Sequence, residues 1–242
     1  PAEIGMEEKD ICTPALIIDL DVFEKNIRRM SNFVKGKGIR HRAHAKTHKS
    51  ADISLFQIEH GGACGICCQK VSEAEALVAK GLKDVLISNQ VVDLYKIDRL
   101  VALAQRARII ICIDDFKNIE NLSSAAEKQK MVIECLVEID CGAGRCGVEP
   151  GEPVLELAKK ITVAKNLSFS GIQAYQGPAQ HIRDFYERKA KIDNVIQEVT
   201  DTIELLQNEG LECKIVGGAG TGTYSFEGSS NVYNEIQCGS YV

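Results

Sequence analysis

Residues 84–140 read DVLISNQVVDLYKIDRLVALAQRARIIICIDDFKNIENLSSAAEKQKMVIECLVEID. Three short apolar runs punctuate this stretch: DVLISN from Asp84, RIIICI from Arg108 and VIECLVEID from Val132. The segments between them have helix spacing. Strand-sized β-branched runs alternating with amphipathic helices read as βα units feeding a parallel sheet.

The same alternation extends outward in both directions. Toward the N-terminus lie ALIIDL from Ala15, IRHRAHAK from Ile39 and CGICCQ from Cys64; toward the C-terminus lie FSGIQAYQ from Phe169, CKIVGGA from Cys213 and EIQCGSYV from Glu235. Phe23, Ile27, Met30 and Val34 recur on one helical face, as do Ile192, Ile196, Val199, Ile203 and Leu206. With the leading ALIIDL run set aside, eight strand candidates remain, joined by seven connecting segments. Eight parallel strands close a barrel, so the expected fold is α/β, a (β/α)8 TIM-type barrel. No fixed-period repeat, low-complexity tract or Pro/Ser-rich linker divides residues 1–242, which read as one barrel domain. Val242 falls in or at the end of the eighth strand, with no helix after it, so a further segment is expected.

Charge and composition exclude several classes of function. The 242 residues carry 29 Lys+Arg against 34 Asp+Glu, a formal net charge of −5, with 45% hydrophobic and 26% charged residues. That is the composition of a globular protein without an electrostatic footprint for nucleic acid or anionic membrane. The opening PAEIGMEEKD is acidic where a secretory signal is basic and then apolar, and a cytoplasmic location is expected. Ten cysteines could suggest a disulfide framework, but several sit inside apolar runs, as small buried hydrophobes do. Cys67 and Cys68 are adjacent on a strand and face opposite sides. No second C-x-x-C or His pair stands at finger spacing, so no metal ligand is expected on this chain.

In a parallel barrel the reactive side chains collect at the C-terminal ends of strands. The first barrel strand ends His44-Ala45-Lys46-Thr47-His48-Lys49. A lysine at a water-poor barrel mouth is disfavoured as an ammonium ion, and its amine is then a nucleophile; the alternative is a solvated basic face shared with Arg42 and Lys49. The seventh strand runs into Gly217-Gly218-Ala219-Gly220-Thr221-Gly222-Thr223. Its glycines let backbone N–H groups approach an anion, and its hydroxyls add donors. Neither a P-loop nor a dinucleotide fingerprint is present. A strand-end lysine and a phosphate nest in one barrel together point to pyridoxal 5'-phosphate, held covalently by the one and anchored by the other.

The segments TPALIIDLDVFEKNIRRM and RAHAKTHK resemble the start of the D-threonine aldolase and D-serine dehydratase group, a branch of the alanine racemase-like pyridoxal phosphate enzymes. The group's Arg-Pro-His-x-Lys-Thr-His-Lys pattern is matched except at Ala43, where proline is usual. Further matches are GICCQKVSEAEAL from Gly65, GAGRCGV from Gly142, QAYQGPAQH from Gln173, GGAGTGTY from Gly217 and YNEIQCGSYV from Tyr233. The first of these, with QAYQG and AQHIRD, is more similar to 3-hydroxy-D-aspartate aldolases than to dehydratases.

The resemblance implies a role for each matching position. Lys46 is the Schiff-base lysine, flanked by His44 and Thr47. Arg145 meets the cofactor's phenolic oxygen, with an ion pair to Asp140 as the structural alternative. Tyr175, ending the sixth strand, lies against the pyridine ring. Gln237 on the eighth strand faces the ring nitrogen, where alanine racemases place an arginine. Gly220, Thr221, Gly239 and Ser240 contact the phosphate. His181 stands near the substrate hydroxyl, and an imidazole titrating near ~6.5 is a competent base at neutral pH; the alternative is a loop histidine leading into a helix. Gln69 touches substrate or ring, or simply packs.

The implied activity is cleavage of 3-hydroxy-D-aspartate or D-threonine to glycine and glyoxylate or acetaldehyde. A divalent metal, Mg or Mn, is implied on the β-hydroxyl, with ligands on a C-terminal β domain beyond this chain that the ALIIDL strand would join. The other readings are a D-serine or 3-hydroxyaspartate dehydratase and a single-domain cofactor carrier, which the absence of a second domain favours. The amino-acid substrate is the expected partner, and a homodimer is a possible assembly.

Overall fold

The computed structural model describes residues 2–242. Eight strands follow in order: β1 (Arg40–His44), β2 (Gly65–Cys68), β3 (Asp84–Ile87), β4 (Arg108–Ile113), β5 (Ile133–Ile139), β6 (Leu167–Ala174), β7 (Ile215–Gly218) and β8 (Glu235–Ile236). Each is parallel to its neighbours, and β8 pairs back onto β1 through Arg40 with Glu235 and His41 with Ile236, closing the barrel. The helices are α1 (Leu20–Lys37), α2 (Ala51–Glu59), α3 (Val71–Ala79), α4 (Leu94–Leu103), α5 (Phe116–Gln129), α6 (Glu152–Val163), α7 (Phe185–Asn208) and the short α8 (Tyr224–Glu227). No helix among the described residues is long and apolar enough to cross a membrane.

Local chemistry sets the helix limits. Asp19 caps α1 by accepting from the Val22 N–H, and Gly38 ends it in the left-handed region at φ 68°. Phe23, Ile27, Met30 and Val34 are all buried, as their spacing requires. Met30 and Val34 cluster with Ala219, Ile236 and Cys238, so α1 covers the part of the barrel that four-residue α8 leaves open. On α7 the buried stripe is Ile192, Val195, Val199, Thr202 and Leu206. Ile196 and Ile203 of the expected stripe lie at its margin, partly buried against the main core.

Inward-facing residues stack in tiers, as they do in closed parallel barrels. A dry middle tier holds Cys67, Leu86, Ile110, Cys112, Leu136 and Ile215. Toward the N-terminal strand ends the barrel is closed by charge. Arg42 Nε lies 2.8 Å from Glu235 Oε1, and its guanidinium also meets Asp84. Arg108 joins Asp84 at 2.9 Å to Glu134 at 2.6 Å, and the Ser170 hydroxyl donates to Glu134 at 2.7 Å. Ser170 reaches inward because the β5–β6 register shifts between Cys135 and Leu136, pairing them with Phe169 and Gly171 and leaving one extra residue on β6. Gly171 adopts φ 136°, and a Cβ there would run into the Ile215 carbonyl. Alternation puts Cys67 in the inner cluster and Cys68 in the outer one, and all ten cysteines are free thiols.

Residues 15–19 of ALIIDL take no part in the barrel sheet and carry no regular structure, and Leu16 is fully exposed. Several expected strand ends need correction. β1 stops at His44, so Lys46 lies in the following 3-10 turn Ala45–Thr47. β6 begins at Leu167 and ends at Ala174, one residue before Tyr175. β8 has only two residues, which puts Gln237 just beyond it. In each case the chain must leave the ladder to cross the barrel rim, and the last apolar residues of the run belong to that crossing.

Arg42 and Glu235 are each 1% exposed, so removing one partner strands a charge. Arg42→Met is expected to cost about 3–5 kcal/mol in urea denaturation. The double variant Arg42→Met/Glu235→Leu should be less destabilised than the single one. A loss below about 1 kcal/mol in the single variant would show that this pair does not hold the barrel closed.

Candidate active site

Every residue that the sequence reading assigns to the site lines one cavity of about 260 Å³ at the C-terminal rim of the barrel. Lys46 reaches it because the chain tightens into a 3-10 turn directly after β1. His44 caps that turn by accepting the Lys46 N–H on Nδ1 at 3.3 Å. The other ring nitrogen, Nε2, lies 3.2 Å from Ser88 Oγ, whose hydroxyl donates to the Cys68 carbonyl. With Nδ1 accepting, the ring proton is assigned to Nε2. Burial, with the Lys46 charge second, pushes His44 down to about 3, so the ring is neutral and acts as a spacer under the lysine.

Two basic side chains approach one aromatic ring. Lys46 Nζ lies 5.9 Å from the Tyr175 ring centroid, and the Arg145 guanidinium carbon lies 5.7 Å from it. Arg145 does not pair with Asp140. Asp140 Oδ1 instead accepts the N–H groups of Gly142, Ala143 and Gly144 at 2.8–3.1 Å and shapes their loop. The Arg145 counter-charge is the buried Glu138 on β5, 3.7 Å away. Burial raises the Glu138 carboxyl above its ordinary range, against a 2.6 Å hydrogen bond from Gln90 Nε2.

On the far side of the cavity, Gln237 and Gln173 form a buried reciprocal amide pair, each Nε2 donating to the other's Oε1 at 2.7 Å. The glycine-rich turn after β7 and the segment after β8 meet beside it. Among the described residues, the N–H groups of Gly220, Thr221, Gly239 and Ser240 donate to nothing within the chain, and the Thr221 and Ser240 hydroxyls lie 3.3 Å apart. Four free amides and two hydroxyls at one rim suit a phosphate monoester, and a lysine amine stands in the same cavity, so these residues fit pyridoxal phosphate. His181 is exposed at the end of the 3-10 turn Pro178–His181, and Gln69 follows β2 with its N–H on Glu73. No group of three His, Cys, Asp or Glu side chains among the described residues is arranged to hold a metal.

Four residues at or beneath the cavity were missed: Ser88, Gln173, Gln180 and Glu138. Reading the ends of all eight strands for polar residues would have found Ser88. Gln173 and Gln180 stand inside the quoted QAYQGPAQH motif. Glu138 leaves no such signal, because an isolated acid in VIECLVEID says nothing about its partner.

Residues 18–242 match the family model described as alanine racemase, N-terminal domain. The chain is 52% identical over 243 residues to a 3-hydroxy-D-aspartate aldolase of Paracoccus denitrificans (strain Pd 1222), covering 100% of this chain and 63% of that protein. It is 40% identical over 242 residues to a D-threonine aldolase of an Arthrobacter species, covering 100% of this chain and 64% of the relative. The crystal structure of D-threonine aldolase from Filomicrobium marinum superposes with a TM-score of 0.98 at 48% identity, covering 100% of this chain and 65% of the other. The chain thus spans just under two thirds of the length of these relatives. With its closed eight-stranded parallel barrel and this match along nearly its whole length, the chain belongs to the alanine racemase N-terminal domain family.

Proposed function

We propose that this chain is the cofactor-binding barrel of a pyridoxal phosphate-dependent aldolase. It splits a D-3-hydroxy amino acid, 3-hydroxy-D-aspartate or D-threonine, into glycine and an aldehyde, glyoxylate or acetaldehyde. The observation that carries this reading is the meeting, in one cavity, of the Lys46 amine, the Arg145 guanidinium and four free amide N–H groups. The 52% identity to a 3-hydroxy-D-aspartate aldolase supports carbon–carbon cleavage over elimination of water.

When bound, pyridoxal phosphate supplies an electron sink for the pair released as the Cα–Cβ bond breaks. The chain's own residues do the positioning and the proton transfer. Lys46 tethers the cofactor through its amine. Gly220, Thr221, Gly239 and Ser240 receive the phosphate through N–H and O–H donors. Arg145 offers its guanidinium to the phenolic oxygen, steadied by Glu138. Tyr175 gives the ring a flat apolar neighbour, and Gln237, locked by Gln173, presents an uncharged amide to the pyridine nitrogen. His181 takes the β-hydroxyl proton on a ring nitrogen, and Gln69 borders the substrate. The divalent metal implied by the resemblance finds no three-ligand set among the described residues, and on this reading its donors lie outside them.

Lys46→Ala is expected to abolish glycine release and the visible absorbance of the bound cofactor; glycine formation at the unaltered rate would overturn the role of the lysine. His181→Ala should lower kcat by about 10²–10⁴-fold with cofactor absorbance retained, the loss typical of a missing general base. Product analysis after adding D-threonine or 3-hydroxy-D-aspartate should find glycine with the aldehyde. Ammonia with a keto acid would instead identify a dehydratase.

A further inference from the structure

The turn at residues 220–222 is braced from below by residues that the proposed reaction does not use. Gly222 donates its N–H to Gln180 Oε1 at 2.8 Å. Gln180 Nε2 donates to Thr223 Oγ1 at 2.7 Å, and the Thr223 hydroxyl donates to Glu227 Oε1 at 2.8 Å. All three bonds point the same way, so the chain of donors has one terminal acceptor, Glu227. Thr223 and Tyr224 also donate their N–H groups to the Gly220 carbonyl at 3.1 and 2.9 Å, which folds the turn onto the start of α8. A Cβ at Gly220 or Gly222 would collide with Gln180, so its side chain packs against both glycines.

Glu227 is a costly residue to keep in this place. It is 2% exposed, its other oxygen, Oε2, has no hydrogen-bond partner, and its one side-chain contact of this kind is Thr223. Burial pushes its carboxyl up to about 7, and no cation offsets that cost. A well-packed apolar residue would serve stability better at such a position. What Glu227 provides is a fixed acceptor that dictates which way the Thr223 hydroxyl points, and hence which atom of Gln180 faces Thr223 and which faces Gly222.

We infer that Glu227 is a positioning residue which, through Thr223 and Gln180, holds the 220–222 turn in the shape that receives the cofactor's phosphate. The amide of Gly222 is committed to Gln180, which leaves the N–H groups of Gly220 and Thr221 free to face the anion. The inference rests on the cofactor reading above and adds to it the residues that set its phosphate affinity.

The test compares the affinity of the cofactor-free protein for pyridoxal 5'-phosphate with its affinity for pyridoxal, which lacks the phosphate. Gln180→Ala, Thr223→Val and Glu227→Leu should each weaken pyridoxal 5'-phosphate binding roughly tenfold while changing pyridoxal binding by less than about twofold. Thr223→Ser and Glu227→Gln, which keep the hydroxyl and the acceptor, should restore the unaltered ratio. Should Glu227→Leu fail to fold, the partly buried Gln180→Ala carries the same comparison. Equal losses for both ligands, or an unchanged ratio in Gln180→Ala and Thr223→Val, would overturn the inference alone. A parent protein with no preference for pyridoxal 5'-phosphate over pyridoxal would overturn the cofactor reading with it.

Discussion

The buried ion pair between Arg42 and Glu235 joins residues 193 positions apart and ties the first strand of the barrel to the last. Everything at the opposite rim depends on that closure. β8 contributes only two residues to the ladder, so few backbone bonds hold it there, and the guanidinium that grips Glu235 also meets Asp84 on the far side of β2. β2 passes between them at Gly65, where a Cβ would meet both Arg42 and Asp84. Burying Arg42 and Glu235 is tolerable because each has a partner, and toward solvent Arg108 carries the series from Asp84 to Glu134, where Ser170 ends it.

Once the barrel is closed, the apolar middle tier separates two polar ends with different tasks. At the N-terminal end Asp84, Glu134 and Glu235 are each paired with an arginine. The C-terminal end leaves donors and cations unspent: the Lys46 amine, Arg145 half-shared with Glu138, and four amide N–H groups. This asymmetry is the physical content of the site. Such a rim suits an anionic phosphate ester, in keeping with the cofactor proposed above. His44 shows the same economy, since desolvation keeps its imidazole neutral and prevents a third positive charge from forming beside Lys46.

The comparison of sequence with structure is instructive at particular positions. The strand-end rule located Lys46 and the glycine-rich turn because strand periodicity and glycine content are local properties. Strand ends were misplaced by two residues at β1 and β6 and by six at β8, because the runs continue into the rim crossings and periodicity cannot tell a ladder from a turn. ALIIDL has the composition of a strand but lies outside the barrel sheet, since pairing is a property of the partner as much as of the run. Asp140 is a similar case: its nearness in sequence to Arg145 suggested an ion pair, whereas three backbone N–H groups of the intervening loop claim the carboxylate first.

By itself the sequence determined the class of fold, the number of strands and the identity of the residues that gather at the rim, since these follow from periodicity, residue chemistry and motif. The tertiary structure alone decided the partners. That Glu138 stands behind Arg145, that Gln173 locks Gln237 and that Gln180 reaches Thr223 beneath the 220–222 turn are pairings between residues up to 64 positions apart. No local rule encodes them, because a hydrogen bond is chosen by which donor and acceptor the closed barrel brings within 3 Å, and that choice exists only after folding.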